Sequence, residues 1–492
     1  MSETHDLRRL GADGPRVSPL GFGGYRVDDH TPAHREALLA AIAAGCTLID
    51  TSTNYTDGGS ESLIGEVLED LERRDAQRRR GIVVVSKIGY VQGANLELAM
   101  ERERGGAPFP DMVRYMDGCW HCIHPEFLKD QMERSMRRLR LRSLDVCLLH
   151  NPEYFLTDAH RRGVADLETT RAAFYARLSA DFAFLEEKVR DGTLRSYGVS
   201  SNSAVAPAGD PEATSVSRML QAAEKGAGPG HHFRVLQIPM NLFESGGALT
   251  ANTGPDGGLT ALDAARFAGL GVLINRPLNA FVDGRLVRLG EPHQAPAGDG
   301  LDILAARLDT MEKEYLASIA PHAGASDGVA AADQLFRMAE EVTALEPQVE
   351  DELHWQQIEQ HQILPRVHWI VTGMARDIDP AVRDRWSDWW GRCLPVLQGL
   401  LDEIGRRAAG RGRRRAGAIH SVLAPTLPAE RRDESLSRLA LWVLASTPGV
   451  TCVLVGMRRP AYVGDAMGML NWPPHPDPIG ALRVMQEAAP GT

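Results

Sequence analysis

The stretch Ile-Val-Val-Val-Ser-Lys (82–87) is a short apolar run that ends in a charged residue. Two further stretches have the same form, Cys-Thr-Leu-Ile-Asp (46–50) and Leu-Asp-Val-Cys-Leu-Leu-His (144–150). A β-branched run that stops at a polar residue is typical of a buried parallel strand. These stretches therefore predict parallel strands that each present a polar side chain at the carboxyl end.

Four titratable residues lie at the ends of these predicted strands or just beyond them. They are Asp50, Tyr55, Lys87 and His150. In a closed barrel of parallel strands, the carboxyl ends of the strands form the floor of the active site. We therefore expect the four side chains to meet in one place, where they could transfer a proton.

Strand-like and helix-like runs alternate along most of the chain, which indicates parallel strands joined by crossover helices. The seventh strand-like run ends at Asn275, and an eighth, Thr451–Gly456, comes much later. Eight such units predict an α/β protein with the (β/α)8 TIM barrel architecture. An open doubly wound sheet is the alternative, but no Gly-x-Gly-x-x-Gly follows the first predicted strand.

Two segments have no place in an eight-fold repeat, and they set the predicted domain limits. We predict barrel strands one to seven over 1–283, with a loop insertion at 90–122. A helical insertion or cap follows over 284–434, and the eighth strand with the last helix occupies 435–492. Both insertions follow barrel strands, so both are expected on the catalytic face.

The long insertion has helix-period patterns along most of its length. They predict helices over 301–319, 330–345, 350–371 and 380–407. Pro365 should end or kink the third of these helices, because proline removes a backbone donor. The stretches 324–328 and 409–417 are predicted to be loops or linkers.

The composition is that of an ordinary globular protein with an acidic excess. The formal net charge of −11 argues against nucleic acid as the main partner. The six cysteines are sparse, which suits a reducing cytoplasm better than a disulfide framework. The N-terminus lacks the apolar core of a signal peptide, and no run reaches the roughly 18 apolar residues of a membrane span. We therefore expect a cytoplasmic protein that acts on a small molecule, with neither nucleic acid nor a membrane as partner.

The segment Asp-Thr-Ser-Thr-Asn-Tyr-x-x-Gly-Gly-Ser-Glu-x-x-Ile-Gly-Glu (50–66) resembles the signature of the aldo-keto reductases. Further matches follow in family order at Ser86-Lys87, Leu149-His150, Tyr197–Ser200, Leu236–Asn241 and Val453–Gly456. The resemblance covers about 1–280 and 436–475 and leaves both insertions unmatched. The segments 21–24 and 275–278 look closest to the sugar (aldose) dehydrogenase branch of the family.

The resemblance implies the barrel fold, a nicotinamide dinucleotide cofactor, and hydride exchange with a carbonyl or an alcohol. Tyr55 would donate a proton to the carbonyl oxygen, or act as a base during oxidation. A free tyrosine has a pKa of roughly 10, and the ammonium of Lys87 is expected to lower it. Asp50 would pair with Lys87, and His150 would orient the substrate oxygen.

The resemblance also implies a set of cofactor contacts, and it favours NADP(H) while leaving NAD(H) open. The implied residues are Gly24, Ser200, Ser201, Asn202, Gln237, Asn275, Arg276, Pro277, Leu278, Gly456, Met457, Arg458, Arg459 and Asp465. The Ser-Ser-Asn run leaves the register of the carboxamide contact open by one residue. Asn275 stands where relatives often have a ring that stacks on nicotinamide. The two adjacent arginines suit a 2′-phosphate, because the guanidinium fork matches its oxygens.

The substrate pocket is predicted to include Tyr25, Trp120 and Asn151. The nearby run Cys-Trp-His-Cys-Ile-His (119–124) contains several residues that can bind zinc. No second ligand pair follows at the spacing of a zinc finger, so no metal is predicted.

Several functions are compatible with these features. The first is an NAD(P)-dependent oxidoreductase that acts on a sugar or on a bulky metabolite whose pocket is shaped by the long insertion. The alternative is a cofactor-binding sensor or assembly subunit whose helical insertion binds a protein partner. An exposed apolar patch on the insertion would favour the partner, whereas apolar residues facing the barrel mouth would favour a lid.

Overall fold

The computed structural model describes residues 7–282, 284–292, 298–323 and 337–488. The chain divides into two compact units. The barrel unit extends to Leu289 and resumes at Val422, and the helical unit is Gly290–Ser421. Among the described residues, no helix is long and apolar enough to cross a membrane.

Eight parallel strands close a barrel in which each strand pairs with the next along the chain and the last pairs with the first. The strands are β1 Leu20–Gly23, β2 Leu48–Asp50, β3 Val83–Ile88, β4 Leu144–His150, β5 Leu194–Ser200, β6 Phe233–Pro239, β7 Gly271–Asn275 and β8 Cys452–Val455. All residues of β3 are buried, as expected for a strand covered on both faces. The closed barrel confirms the predicted architecture, and the open-sheet alternative is wrong.

A helix follows each barrel strand. These helices are α1 Pro32–Ala43, α2 Gly59–Arg74, α3 Pro125–Leu139, α4 Leu167–Arg190, α5 Val216–Ala227, α6 Ala261–Phe267, α7 Leu436–Ser446 and α8 Pro460–Met467. Local capping signals begin several of them: Ser215, Thr260 and Ser435 each accept a backbone N–H at the start of α5, α6 and α7. Further helices of the barrel unit are Ala76–Arg80, Ala94–Arg104, Tyr154–Arg161, Gly246–Leu249 and Pro478–Glu487.

Side-chain alternation along the strands decides which residues enter the barrel. One buried cluster contains the interior residues Leu48, Val83, Val85, Val146, Leu148, Val235, Leu273, Cys452 and Leu454. Polar residues follow two positions later on five of these strands, at Asp50, Lys87, His150, Gln237 and Asn275. A spacing of two keeps a side chain on the same face of a strand. These five side chains therefore project into the barrel at its carboxyl end.

A small hairpin that the sequence did not reveal closes the opposite end of the barrel. Its strands, Arg8–Arg9 and Arg16–Val17, pair antiparallel. Leu10 and Val17 join the interior cluster. A Cβ on Gly271, the first residue of β7, would lie 2.7 Å from the backbone nitrogen of Gly11, so the backbones approach closely there. Two further hairpins pair Ala251–Thr253 with Leu259–Thr260 and Asn279–Val282 with Arg285–Arg288.

The first insertion has its own secondary structure. Its strands, Tyr90–Val91, Val113–Met116 and Cys119–His121, form a three-stranded antiparallel sheet. The helix Ala94–Arg104 connects the first strand to the second. We call these three strands the insertion sheet.

The helical unit has a core of its own, in which Trp386 and Trp389 pack against Tyr315. The α-helices of its described residues are Leu301–Ser318, Met338–Leu345, Glu352–Ile358, Leu364–Asp377 and Arg383–Leu423. A π-helical turn, Glu359–Ile363, precedes Pro365, which lies in the first turn of the next helix. Pro365 therefore marks the interruption that was predicted there. The predicted loop at 324–328 and the start of the helix predicted at 330–345 lie outside the described residues.

The predicted linker at 409–417 is wrong, because these residues continue the helix Arg383–Leu423. Arg411 pairs with Glu346 at 2.6 Å, and Arg415 pairs with Asp351 at 2.9 Å. These contacts with distant segments outweigh the low helix propensity of the glycines in this stretch.

Candidate active site

A buried ion pair lies at the base of the site. The fully buried Lys87 donates from Nζ to Asp50 Oδ1 at 2.5 Å and to the Thr51 carbonyl at 2.6 Å. The other carboxylate oxygen accepts a hydrogen bond from Gln237 Nε2 at 2.8 Å. Burial raises the pKa of Asp50 and lowers the pKa of Lys87, while the contact between the two groups opposes both shifts. The hydrogen bonds thus hold one positive charge at a defined position.

Tyr55 lies next to this pair, in the loop that follows β2. Its ring centroid is 4.8 Å from Lys87 Nζ. The rings of Tyr25 and His150 contact it edge-on, at centroid distances of 5.3 Å and 5.9 Å. The structure therefore brings together the four titratable residues that the sequence pattern singled out.

Burial raises the pKa of Tyr55 well above its ordinary value, and the charge of Asp50 shifts it further in the same direction. The pKa of Tyr55 is therefore raised rather than lowered as expected, because burial and the charge of Asp50 dominate its surroundings. Tyr55 therefore keeps its proton at neutral pH. A protonated phenol beside a site for a carbonyl is what a general acid requires.

His150 is held by the loop that carries Tyr55. Its Nδ1 lies 2.9 Å from Ser52 Oγ, and Ser52 donates to Asn54 Oδ1 at 2.7 Å. Burial is the main cause that lowers the pKa of His150 well below its ordinary value, and the positive charge of Lys87 adds to it. His150 is therefore neutral, and its ring can orient a substrate oxygen without adding a charge.

The predicted carboxamide contacts lie at the ends of β5, β6 and β7. Ser200 donates to Gln237 Oε1 at 3.0 Å, and Asn275 Nδ2 lies 3.4 Å from the same oxygen. Ser201 is engaged within its own loop, where its hydroxyl contacts Thr214 at 3.0 Å and accepts the amide of Ala204. Of the two candidates that follow Ser200, Asn202 has a side chain without a hydrogen bond among the described residues, and its carboxamide role stays a prediction.

Four arginines gather where the phosphates of the cofactor are predicted to bind. They are Arg26, Arg288, Arg458 and Arg459. Burial is the main cause that lowers the pKa of Arg458, and the positive charges of the other three act in the same direction, with Tyr462 opposing them. Within the described part of the chain, none of the four forms an ion pair. A partly buried guanidinium among like charges is suited to binding an anion.

The uncharged residues of the predicted cofactor set that remain follow β7, β8 and β1. Pro277 and Leu278 follow β7, and Gly456 and Met457 follow β8, so all four lie at the carboxyl end of the barrel. Gly24 allows a close backbone approach, since a Cβ there would lie 2.8 Å from the Asp50 carbonyl oxygen.

Two charged residues of the predicted cofactor set are engaged by the protein itself. Arg276 pairs with Glu244 at 3.1 Å. Asp465 accepts the hydroxyls of Ser435 and Ser437 at the start of α7. A cofactor contact by either residue would have to compete with these partners, and both assignments stay predictions.

The predicted substrate residues occupy different surroundings. Tyr25 is 58% exposed beside Tyr55, as a residue at the mouth of the site would be. Asn151 follows His150 and donates to Tyr90 Oη at 2.8 Å. Trp120 is half-buried between two buried neighbours in the insertion sheet, and its ring centroid lies 5.0 Å from the guanidinium carbon of Arg114. Alternation places Trp120 on the opposite face of its strand from His121.

Sequence reasoning missed Glu153, a buried residue three positions after His150. Its Oε1 accepts the backbone N–H of Asn202 at 2.6 Å and so links the His150 loop to the predicted carboxamide loop. Burial raises its pKa to about 7, although hydrogen bonds oppose the shift. No spacing rule connects positions 153 and 202, so only the folded chain reveals this contact.

Residues 19–210 match the aldo/keto reductase family. The matched residues include the first five barrel strands, β1 to β5. An uncharacterized oxidoreductase of Mycobacterium bovis is 28% identical over 163 residues, which cover 31% of this chain and 39% of that protein. The NADH-specific methylglyoxal reductase of Escherichia coli is 28% identical over 118 residues, 23% of this chain and 30% of that protein. The chain thus spans about two fifths or less of the length of these relatives.

Solved structures of aldo-keto reductases align with this chain at low sequence identity. The glycerol dehydrogenase of Gluconobacter oxydans aligns with a TM-score of 0.49 and 15% identity, over 99% of this chain and 96% of that chain. An aldo-keto reductase of Bacillus halodurans aligns with a TM-score of 0.48 and 14% identity, over 99% and 98%.

Proposed function

We propose that this protein is an NADP(H)-dependent oxidoreductase that reduces a carbonyl group or oxidises the corresponding alcohol. The observation that carries the proposal is the convergence of Tyr55, His150 and the buried Asp50–Lys87 pair at the carboxyl end of the barrel. Such a site can give a proton to an oxygen atom and hold that oxygen in place.

Each residue has a distinct proposed role. Tyr55 gives its phenolic proton to the carbonyl oxygen, and His150 orients that oxygen. Lys87 places a positive charge beside the tyrosine, which stabilises the phenolate after the proton has left. Asp50 fixes the ammonium, and Gln237 fixes the carboxylate. When bound, the nicotinamide supplies or accepts the hydride.

The residues present fit a nicotinamide dinucleotide. Gly24 lets the chain after β1 lie close to Asp50, since a Cβ there would meet the Asp50 carbonyl oxygen. Ser200 and Asn275 offer polar groups at the strand ends, where a carboxamide would bind. The arginine cluster adds a site for phosphate, and two adjacent guanidinium groups, Arg458 and Arg459, favour a 2′-phosphate and hence NADP(H) over NAD(H).

Reduction is the proposed direction near neutral pH. A tyrosine whose pKa is raised by burial carries at neutral pH the proton that reduction consumes, whereas oxidation needs the phenolate. The substrate class is a sugar carbonyl or a bulkier carbonyl metabolite, with the helical unit as a cap or as a site for a protein partner. Because one relative is named for methylglyoxal, small ketoaldehydes belong in the same screen.

We also propose a cytoplasmic location. All six cysteines are free thiols, as expected in a reducing compartment.

The first experiment is a fluorescence titration of the purified protein with NADPH and with NADH, followed by a screen of sugars, ketoaldehydes and larger carbonyls. Replacing Tyr55 with Phe should lower kcat by about 10²–10⁴-fold while leaving the Kd for NADPH unchanged, because only the transferred proton is lost. Tyr115→Phe, which makes the same change on the insertion sheet, is the matched control. Full activity of the Tyr55→Phe protein, or no binding of either cofactor, would refute the proposal.

A further inference from the structure

We propose that the first insertion (90–122) is a brace that fixes Tyr55 and His150 relative to each other, with His121 and Gln92 as its positioning residues. The inference rests on the proposed function for its catalytic consequence. Its structural part rests on contacts that join the first insertion to His150 and to the loop that carries Tyr55.

The brace holds His150 through a hydrogen bond and through ring packing. His121 Nε2 lies 2.7 Å from the carbonyl oxygen of His150 and, facing an acceptor, must be the donor. The ring of Tyr90 contacts the His150 ring edge-on at a centroid distance of 4.6 Å. His121 stacks in turn on Tyr154 at 5.3 Å, which leaves it little freedom to turn.

The brace also holds the loop that carries Tyr55. Asn54, directly before Tyr55, donates to Gln92 Oε1 at 3.0 Å. Asp57, two residues after Tyr55, accepts the backbone N–H of Ala94 at 3.0 Å. The tyrosine is therefore flanked on both sides by contacts to the first insertion.

The backbone around both catalytic residues explains why a brace is needed. Thr56 and Asp57 have φ values of 48° and 54°, and Asn151, next to His150, has 50°. For residues other than glycine this left-handed region is a strained backbone conformation, which persists only when neighbouring contacts hold it. The first insertion supplies contacts to two of these positions, from the Ala94 N–H to Asp57 and from the Tyr90 hydroxyl to Asn151.

A hydrogen-bond chain joins the two halves of the site. Gln92 accepts from Asn54, Asn54 accepts from Ser52, and Ser52 contacts His150 Nδ1. Gln92 is itself oriented by Cys119, whose Sγ lies 3.3 Å from Gln92 Nε2. A displaced Gln92 would therefore disturb the Tyr55 loop and the ring of His150 together.

The structural test uses hydrogen–deuterium exchange on the full chain without added ligand. His121→Phe keeps a ring that can stack on Tyr154 but removes the donor, and Gln92→Leu removes the acceptor for Asn54. Both should raise amide exchange several-fold in the peptides 53–58 and 150–157. Arg114→Ala, which removes an exposed side chain from the same sheet, should leave these peptides unchanged. Unchanged exchange in the first two variants would overturn the brace.

The kinetic test uses NADPH deuterated at the transferred position. In the same two variants kcat should fall about tenfold, the cost of one hydrogen bond, and the isotope effect on kcat should rise while the Kd for NADPH stays constant. His121→Gln, which keeps a donor at a similar reach, should restore most of kcat. A loss of kcat without a change in isotope effect would mean fewer folded molecules and would overturn the positioning role. If the unmodified protein neither binds cofactor nor turns over, the proposed function fails, and the exchange results still decide the brace.

Discussion

Replacing Lys87 with Met should destabilise the barrel strongly, and the cause can be traced to one buried charge. Asp50 would lose its partner at 2.5 Å and keep only Gln237 at 2.8 Å. Removing one member of a buried pair typically costs about 3–5 kcal/mol, because the remaining charge is left uncompensated. That is a large fraction of the roughly 5–15 kcal/mol by which proteins are stable.

The same reasoning predicts how the loss depends on pH. Without Lys87, only the hydrogen bond from Gln237 opposes burial, so the pKa of Asp50 in the folded state rises further above its ordinary value. The folded state then holds a proton that the unfolded state releases, and the stability of the variant falls as the pH rises above the unfolded pKa of about 4. The free energy of unfolding of the variant should therefore differ less from that of the unmodified protein at pH 5 than at pH 8.

A double-mutant cycle isolates the pair. Lys87→Met combined with Asp50→Asn leaves no buried charge, so the double variant should be more stable than the sum of the two single losses predicts. The free energy of unfolding should be measured by urea-dependent hydrogen exchange of peptides from β2 and β3, which reports the barrel unit separately from the helical unit. A loss below about 1 kcal/mol for Lys87→Met, or strict additivity in the double variant, would refute the argument.

Three further predictions concern other parts of the chain. Glu153→Gln keeps an acceptor for Asn202 and removes a carboxyl whose pKa in the folded state is about 7. The unfolded state loses this proton above about pH 4.5, so the unmodified protein should lose stability from about pH 4.5 to 7. Relative to it, the variant should become more stable by up to about 3 kcal/mol over that window, as measured by urea titrations. A flat difference across pH would contradict this. Arg458→Ala with Arg459→Ala should raise the Kd for NADPH at least tenfold and the Kd for NADH much less, because each guanidinium–phosphate contact is worth about 1.5–3 kcal/mol; equal losses would remove the argument for the 2′-phosphate. Replacing 290–421 by a short Gly/Ser linker should leave the barrel folded by circular dichroism, since that segment forms its own compact unit; an insoluble product would make it part of the barrel core.

The sequence by itself predicted the barrel and the meeting of four titratable residues at its carboxyl end. Both predictions rest on patterns within single strands and helices. A strand has a period of two, so a polar residue two positions after a buried one must share its face. Val85 thus places Lys87 in the interior, and Leu148 places His150 there. Alternating strands and helices then leave few topologies to choose from.

Only the tertiary structure decided how distant segments complete the site. The contacts of His121 with His150, of Gln92 with Asn54 and of Glu153 with Asn202 join separate loops, and no periodicity connects them. The helix through 409–417 likewise depends on ion pairs to segments about 65 residues away. Local pattern determines which way a side chain points, whereas the partner it meets depends on how the whole chain packs.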